Sequence, residues 1–199
     1  MATRKIGLQD VEETRNPRRL RLLAPLRYLS IQAPEKGRYD VTIPAFACVA
    51  LWVGYNILDP RPSLFGAEGI LITAQSFLIM AVPFLIGALA SVAMGSPGAH
   101  LDRRAVGAGI YLEGRSISLR QFVCHLLGYL SFLGLVAFLV ITVANFGRPT
   151  AINLLAAYPI ACEVLAQAFA GAMFFLLSAF ATTVFWALYF LTDVVNHHD

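Results

Sequence analysis

Residues 160–191 read IACEVLAQAFAGAMFFLLSAFATTVFWALYFL, and Glu163 is the one formal charge among them. A helix rises about 1.5 Å per residue, so this run exceeds the roughly 30 Å hydrocarbon core of a bilayer, more length than a buried soluble helix needs. It is expected to be a transmembrane helix, tilted or protruding. Glu163, Gln167, Gly171, Ser178 and Thr182 recur at third or fourth positions along one face, while Leu165, Phe169, Phe175, Leu176 and Phe185 point mostly elsewhere. That polar face calls for protein or water against it, not lipid.

The rest of the chain agrees with this reading. It is 58% hydrophobic and 14% charged, with a mean hydropathy of +0.67, which is the composition of a polytopic membrane protein and not of a soluble domain. Three further apolar runs bring the expected spans to four, at about 41–58, 70–94, 119–145 and 160–191. The fold class is therefore an all-α integral membrane protein, with four transmembrane helices in two hairpins. Residues 41–199 form the membrane domain and residues 1–40 a basic N-terminal segment.

Local signals set the boundaries. Ala33 to Asp40 reads as a linker, Pro44 suits a first helical turn, and Asp59 to Ser63 cannot be helical. Pro83 is expected to kink the second span. Ser118 and Gln121 have capping-box spacing, which places the start of the third helix there. Gly147-Arg148-Pro149-Thr150 reads as a short external loop. Arg61-Pro62-Ser63 echoes it in the first external loop, as a tandem duplication would, although turn chemistry alone favours such residues.

Charge gives the orientation. Nine of the fifteen Lys and Arg precede Val41: Arg4, Lys5, Arg15, Arg18, Arg19, Arg21, Arg27, Lys36 and Arg38. Arg103, Arg104, Arg115 and Arg120 belong to the loop between spans two and three, and only Arg61 and Arg148 remain. The positive-inside rule then puts both termini and the 95–118 loop in the cytoplasm, in a bacterial-type inner membrane. From Pro17 to Ser30, leucines alternate with arginines as in an interfacial amphipathic helix. Arg18, Arg19, Arg21 and Arg27 are the expected contacts to anionic lipid headgroups, so bound lipids are expected. No stacking aromatics interleave with these arginines, which argues against nucleic acid as a partner.

Candidate functional residues fall into three groups. Gly87, Ser91 and Gly95 on the second span, Gly128, Ser131 and Gly134 on the third, and Gly171 on the fourth are candidates for close helix packing. Glu163, Gln167, Ser178 and Thr182 would line a path if the fourth helix faces water, with Arg148 or Arg61 in reach of Glu163. His100, His125, His197 and His198 fall on the cytoplasmic side and are the candidate metal ligands, at spacings that match no standard motif. Two histidines at equal depth, as haem between spans would need, are missing. Phosphate-binding glycine loops, zincin helices and nucleophile elbows are absent from the sequence.

The leading functional expectation is a structural or accessory subunit of a membrane complex, partnered by other membrane subunits or by copies of itself. The alternatives are an oligomeric transporter or pore lined by the fourth helix, and a membrane enzyme or cofactor protein using the histidines. The three cysteines, Cys48, Cys124 and Cys162, sit in or beside apolar runs as small hydrophobes.

Overall fold

A computed structural model of the chain describes residues 21–32, 36–66, 68–95, 111–112 and 115–194. Four long helices dominate it: α1 (Ile43–Ile57), entered through a π turn at Arg38–Thr42, α2 (Ile70–Met94), α3 (Leu119–Leu155) and α4 (Pro159–Tyr189), which ends in a π turn at Phe190–Val194. All four, α1 taken with its π turn, are long and apolar enough to cross a membrane. A 3-10 helix, Arg21–Ser30, leads into β1 (Ile31–Gln32). That strand pairs antiparallel with β2 (Tyr111–Leu112), and β2 pairs antiparallel with β3 (Arg115–Ser116). The sheet marks one end of the helix array, and the α3–α4 turn marks the other.

Helix starts follow their sequence signals. The Ser118 hydroxyl accepts from the Gln121 amide at 3.3 Å, while the Gln121 side chain accepts from the Ser118 amide at 3.3 Å, so the capping box is complete. Pro44 and Pro159 both occupy first turns, where no intrahelical N–H is lost. Pro83 sits inside α2 without ending it.

Two boundaries differ from the sequence reading. Gly147 to Thr150 is helical, because α3 continues past the expected end at Asn145 to Leu155. Pro149 removes only the bond to the Asn145 carbonyl, and it does so on an exposed stretch where that carbonyl need not be satisfied by the helix. The two Arg-Pro-hydroxyl triplets thus stand in different structures, an irregular loop at Arg61 and a helix at Arg148, so their echo is not a structural repeat. Arg38 to Asp40, expected in a linker, already belong to the helical entry of α1.

Packing follows an order unlike the order along the chain. α2 lies along α3, α3 against α4, and α4 against α1, so α1 rests on the last helix rather than on its neighbour in sequence. α3 is the most enclosed helix and α1 the least. Gly134 of α3 marks the tightest crossing. A Cβ there would stand 2.8 Å from Val82 Cγ2 of α2 and 2.9 Å from Phe180 Cε2 of α4, so any larger residue would have to push these side chains aside. α1 and α2 leave Phe46, Val49, Ile57, Phe77, Met80 and Phe84 exposed. The loop between them crosses the end of the array, stacking Phe65 on Phe169 of α4 with centroids 5.7 Å apart. Gly69 in that loop is pressed against the Leu64 carbonyl, where a Cβ would lie at 2.7 Å.

Candidate functional site

The polar face of α4 is occupied by α1. Gln167 Nε2 donates to Asn56 Oδ1 at 3.3 Å, and Asn56 Nδ2 donates to the Trp52 carbonyl at 2.8 Å. One turn further along α4, Trp52 Cδ1 lies 3.9 Å from where a Gly171 Cβ would be, and the Cys48 thiol donates to the Gly171 carbonyl at 3.5 Å. Tyr55 meets Phe174 edge to face at 5.6 Å. Small and polar residues on α4 therefore admit α1 closely and bond to it, as membrane helix pairs do. Among the described residues, Gln167 Oε1 and Ser178 Oγ are buried without a protein partner. The Thr182 hydroxyl turns back to its own helix, donating to the Ser178 carbonyl at 2.9 Å.

Glu163 is exposed and forms no ion pair among the described residues. Arg148, placed within its reach by the sequence reading, instead lies over the Phe65 ring at 5.1 Å, and Arg61 is exposed. Of the packing candidates, Gly134 and Gly171 sit at helix crossings, and Ser131 is buried, donating to the Leu127 carbonyl at 2.8 Å. Gly128 meets nothing within 4 Å. Gly87, Ser91 and Gly95 are exposed, and a Cβ added at Gly87 would meet nothing within 4 Å, one at Gly95 only the Ser91 carbonyl.

His125 is half-buried in α3, whereas His100, His197 and His198 lie outside the described residues. Among the described residues no three or more His, Cys, Asp or Glu side chains are placed to share a metal ion. Arg18 and Arg19 also lie outside them, Arg21 begins the 3-10 helix, and Arg27 is exposed on it.

Sequence reasoning missed a charged knot at the sheet end. Lys36 Nζ donates to the Tyr28 carbonyl at 2.7 Å, pairs with Asp40 Oδ2 at 3.0 Å, and stands 4.3 Å from the centroid of the Tyr28 ring. The Tyr28 hydroxyl donates to Asp40 Oδ1 at 3.2 Å. Tyr28 is fully buried, stacked on Tyr129 at 4.7 Å and flanked by Phe122 and Trp186. Burial first, and then the Asp40 carboxylate, push its phenol well above the ordinary value, so it remains a neutral O–H donor. Each charge here is spent on a partner, which makes the knot a lock between the 3-10 helix and the start of α1, not a reactive centre. Its one sequence signal was the four-residue spacing of Lys36 and Asp40.

A second clamp lies nearby. Arg120 Nε donates to the Val92 carbonyl at 3.1 Å, and its Nη2 donates to the carbonyls of Ala93 at 2.7 Å and Gly95 at 2.9 Å. The guanidinium thereby satisfies carbonyls left open where α2 ends and sits at the negative end of the helix dipole. Compared with protein-family models, with curated proteins and with solved structures, the chain matches none.

Proposed function

We propose that the chain is a small integral-membrane subunit that takes its place in a larger membrane assembly through helix packing, with both termini and the 95–118 loop on the cytoplasmic side of a bacterial-type inner membrane. The observation that carries this reading is the covering of the α4 polar face by α1 of the same chain. Of the residues that would have lined a water path, Gln167 bonds to α1, Thr182 bonds back to its own helix and Ser178 is buried, which leaves Glu163 alone exposed among them. Among the outward surfaces is that of α2, where Gly87 and Ser91 offer a flat approach beside exposed Phe84. The charge distribution supports the orientation, since among the described Lys and Arg only Arg61 and Arg148 sit at the end marked by the α3–α4 turn.

Extraction of the tagged chain from native membranes in mild detergent, followed by mass measurement of the intact complex, tests the reading. Different membrane proteins should co-purify, and Gly87→Leu should release them without unfolding the chain. Recovery of the chain alone, or only of copies of itself, contradicts it.

A second reading, an oligomeric pore, is favoured by the two partnerless buried atoms Gln167 Oε1 and Ser178 Oγ. Reconstituted Ser178→Cys should then show an ion flux blocked by thiol reagents, and a silent vesicle removes this reading.

A further inference from the structure

The face that α4 turns to α1 is longer than α1 itself. Helix α1 ends at Ile57, one residue past Asn56, whose side-chain oxygen accepts from Gln167. At Leu58 the backbone is already extended and leaves the helix axis. On α4 the same stripe runs on for two turns beyond Gln167, through Val164 and Glu163 to Ile160. Among the described residues nothing covers that continuation: Ile160 is 79% and Val164 63% exposed, and Glu163 is exposed between them. The end of α1 is bare as well, with Ile57 75% exposed.

Glu163 is the single formal charge among residues 149–166, and it forms no ion pair among the described residues. Neither cation expected within its reach is joined to it, since Arg148 lies over the Phe65 ring and Arg61 forms no ion pair among the described residues. Lipid against this patch would suit Ile160 and Val164 but strand a carboxylate, whereas water would suit the carboxylate and leave the apolar side chains wet. An apolar protein segment bearing one cation meets both demands. We infer that the uncovered stripe of Ile160, Glu163 and Val164, with the bare end of α1 at its edge, seats such a segment of another membrane subunit, which lies on α4 in line with α1 and sets a Lys or Arg against Glu163. Charge complementarity gives the sign of the partner's residue. Continuity with the α1–α4 seam, where α4 already admits and bonds a helix, gives the place. The inference rests on the subunit reading proposed above and adds the face and the partner's chemistry.

The full chain in its native membranes provides the test, with Ile160→p-benzoylphenylalanine as the photo-cross-linker. Irradiation should join it to a peptide of a different membrane protein, with a Lys or Arg in that peptide. Glu163→Gln should lower the yield of this product about fivefold, the usual upper worth of one ion pair near a surface, and Glu163→Lys should abolish it. Changing the partner's cation to Glu should restore the product with Glu163→Lys and remove it with the unchanged Glu163. Arg61→Gln should leave the yield intact. A product formed only with lipid, or only with a second copy of this chain, overturns the inference. So does a yield that survives Glu163→Lys, a captured protein that the charge exchange does not restore, or a loss in Arg61→Gln equal to that in Glu163→Gln. Failure of the subunit reading looks different, because then no other membrane protein co-purifies with the unchanged chain, whatever is found at position 160.

Discussion

The sheet end and the hairpin end of the array are fastened by different chemistry. At the sheet end, a buried ion pair and a tyrosine hydroxyl join the 3-10 helix to the entry of α1, and a guanidinium on three carbonyls joins α3 to the end of α2. At the end marked by the α3–α4 turn no ion pair is formed among the described residues, and the fastenings are amide pairs and aromatic contacts, one of them under a guanidinium. Gln75 donates to Thr142 at 2.9 Å between α2 and α3, Gln167 donates to Asn56 between α4 and α1, and Phe65 lies between the Phe169 ring and Arg148. Charge is costly to bury and, once paired, costly to break, whereas amide pairs are cheap both to bury and to lose. Stability should therefore be more sensitive to single substitutions at the sheet end.

The largest effect is expected from Asp40→Ala, which leaves the Lys36 ammonium buried without its carboxylate. Removal of one partner of a buried pair costs about 3–5 kcal/mol, while replacing both, as Lys36→Met with Asp40→Leu, should lie much closer to neutral. Unfolding in detergent compares the two, and equal losses would remove the distinction between the ends. Next comes Gly134→Leu at the tightest crossing, expected to cost at least the about 1–3 kcal/mol of ordinary overpacking, against no measurable change for Gly87→Leu on the open face.

The third prediction concerns pH. Because the Tyr28 phenol is raised above its unfolded value of about 10, its contribution to stability is fully present below about pH 10 and falls as pH rises beyond it. Unfolding measured between about pH 9 and about pH 11 should show a downward slope that Tyr28→Phe reduces, and an identical slope in both proteins would contradict the buried phenol. The smallest effect is expected from Gln167→Ala, since interhelical hydrogen bonds of this kind average about 0.6 kcal/mol in membrane proteins. A loss comparable to that of Asp40→Ala would show that the hairpin end is not the weaker fastening.

The four helices were legible because apolar length speaks for itself, needing no knowledge of what lies opposite. The capping box of Ser118 and Gln121 was legible for the same local reason, and the polar spacing of Gln167 and Gly171 showed a face that calls for protein or water, without deciding between them. Which partner was not legible, because the pairing of α1 with α4 joins residues as far apart as Cys48 and Gly171. Arg148-Pro149 was read as a turn because proline disfavours helix interiors, yet the cost is small where the orphaned carbonyl lies on an exposed stretch. Lys36 and Asp40 were read as part of a solvated linker because their burial depends on Tyr28, a side chain supplied by another element. Charges in front of a span ordinarily signal orientation alone, and that reading hid the knot.

The covering of the α4 polar face by α1 is the central claim, and a disulfide between Asn56→Cys and Gln167→Cys in otherwise cysteine-free protein tests it most directly. Oxidation in native membranes should form the bond within one chain, leaving the protein at monomer size on a denaturing gel and both thiols unreactive towards water-soluble reagents. A cross-link that appears only between two chains, or thiols that stay open to the reagent after oxidation, would show that the face looks outward to other copies or to water, contradicting the account.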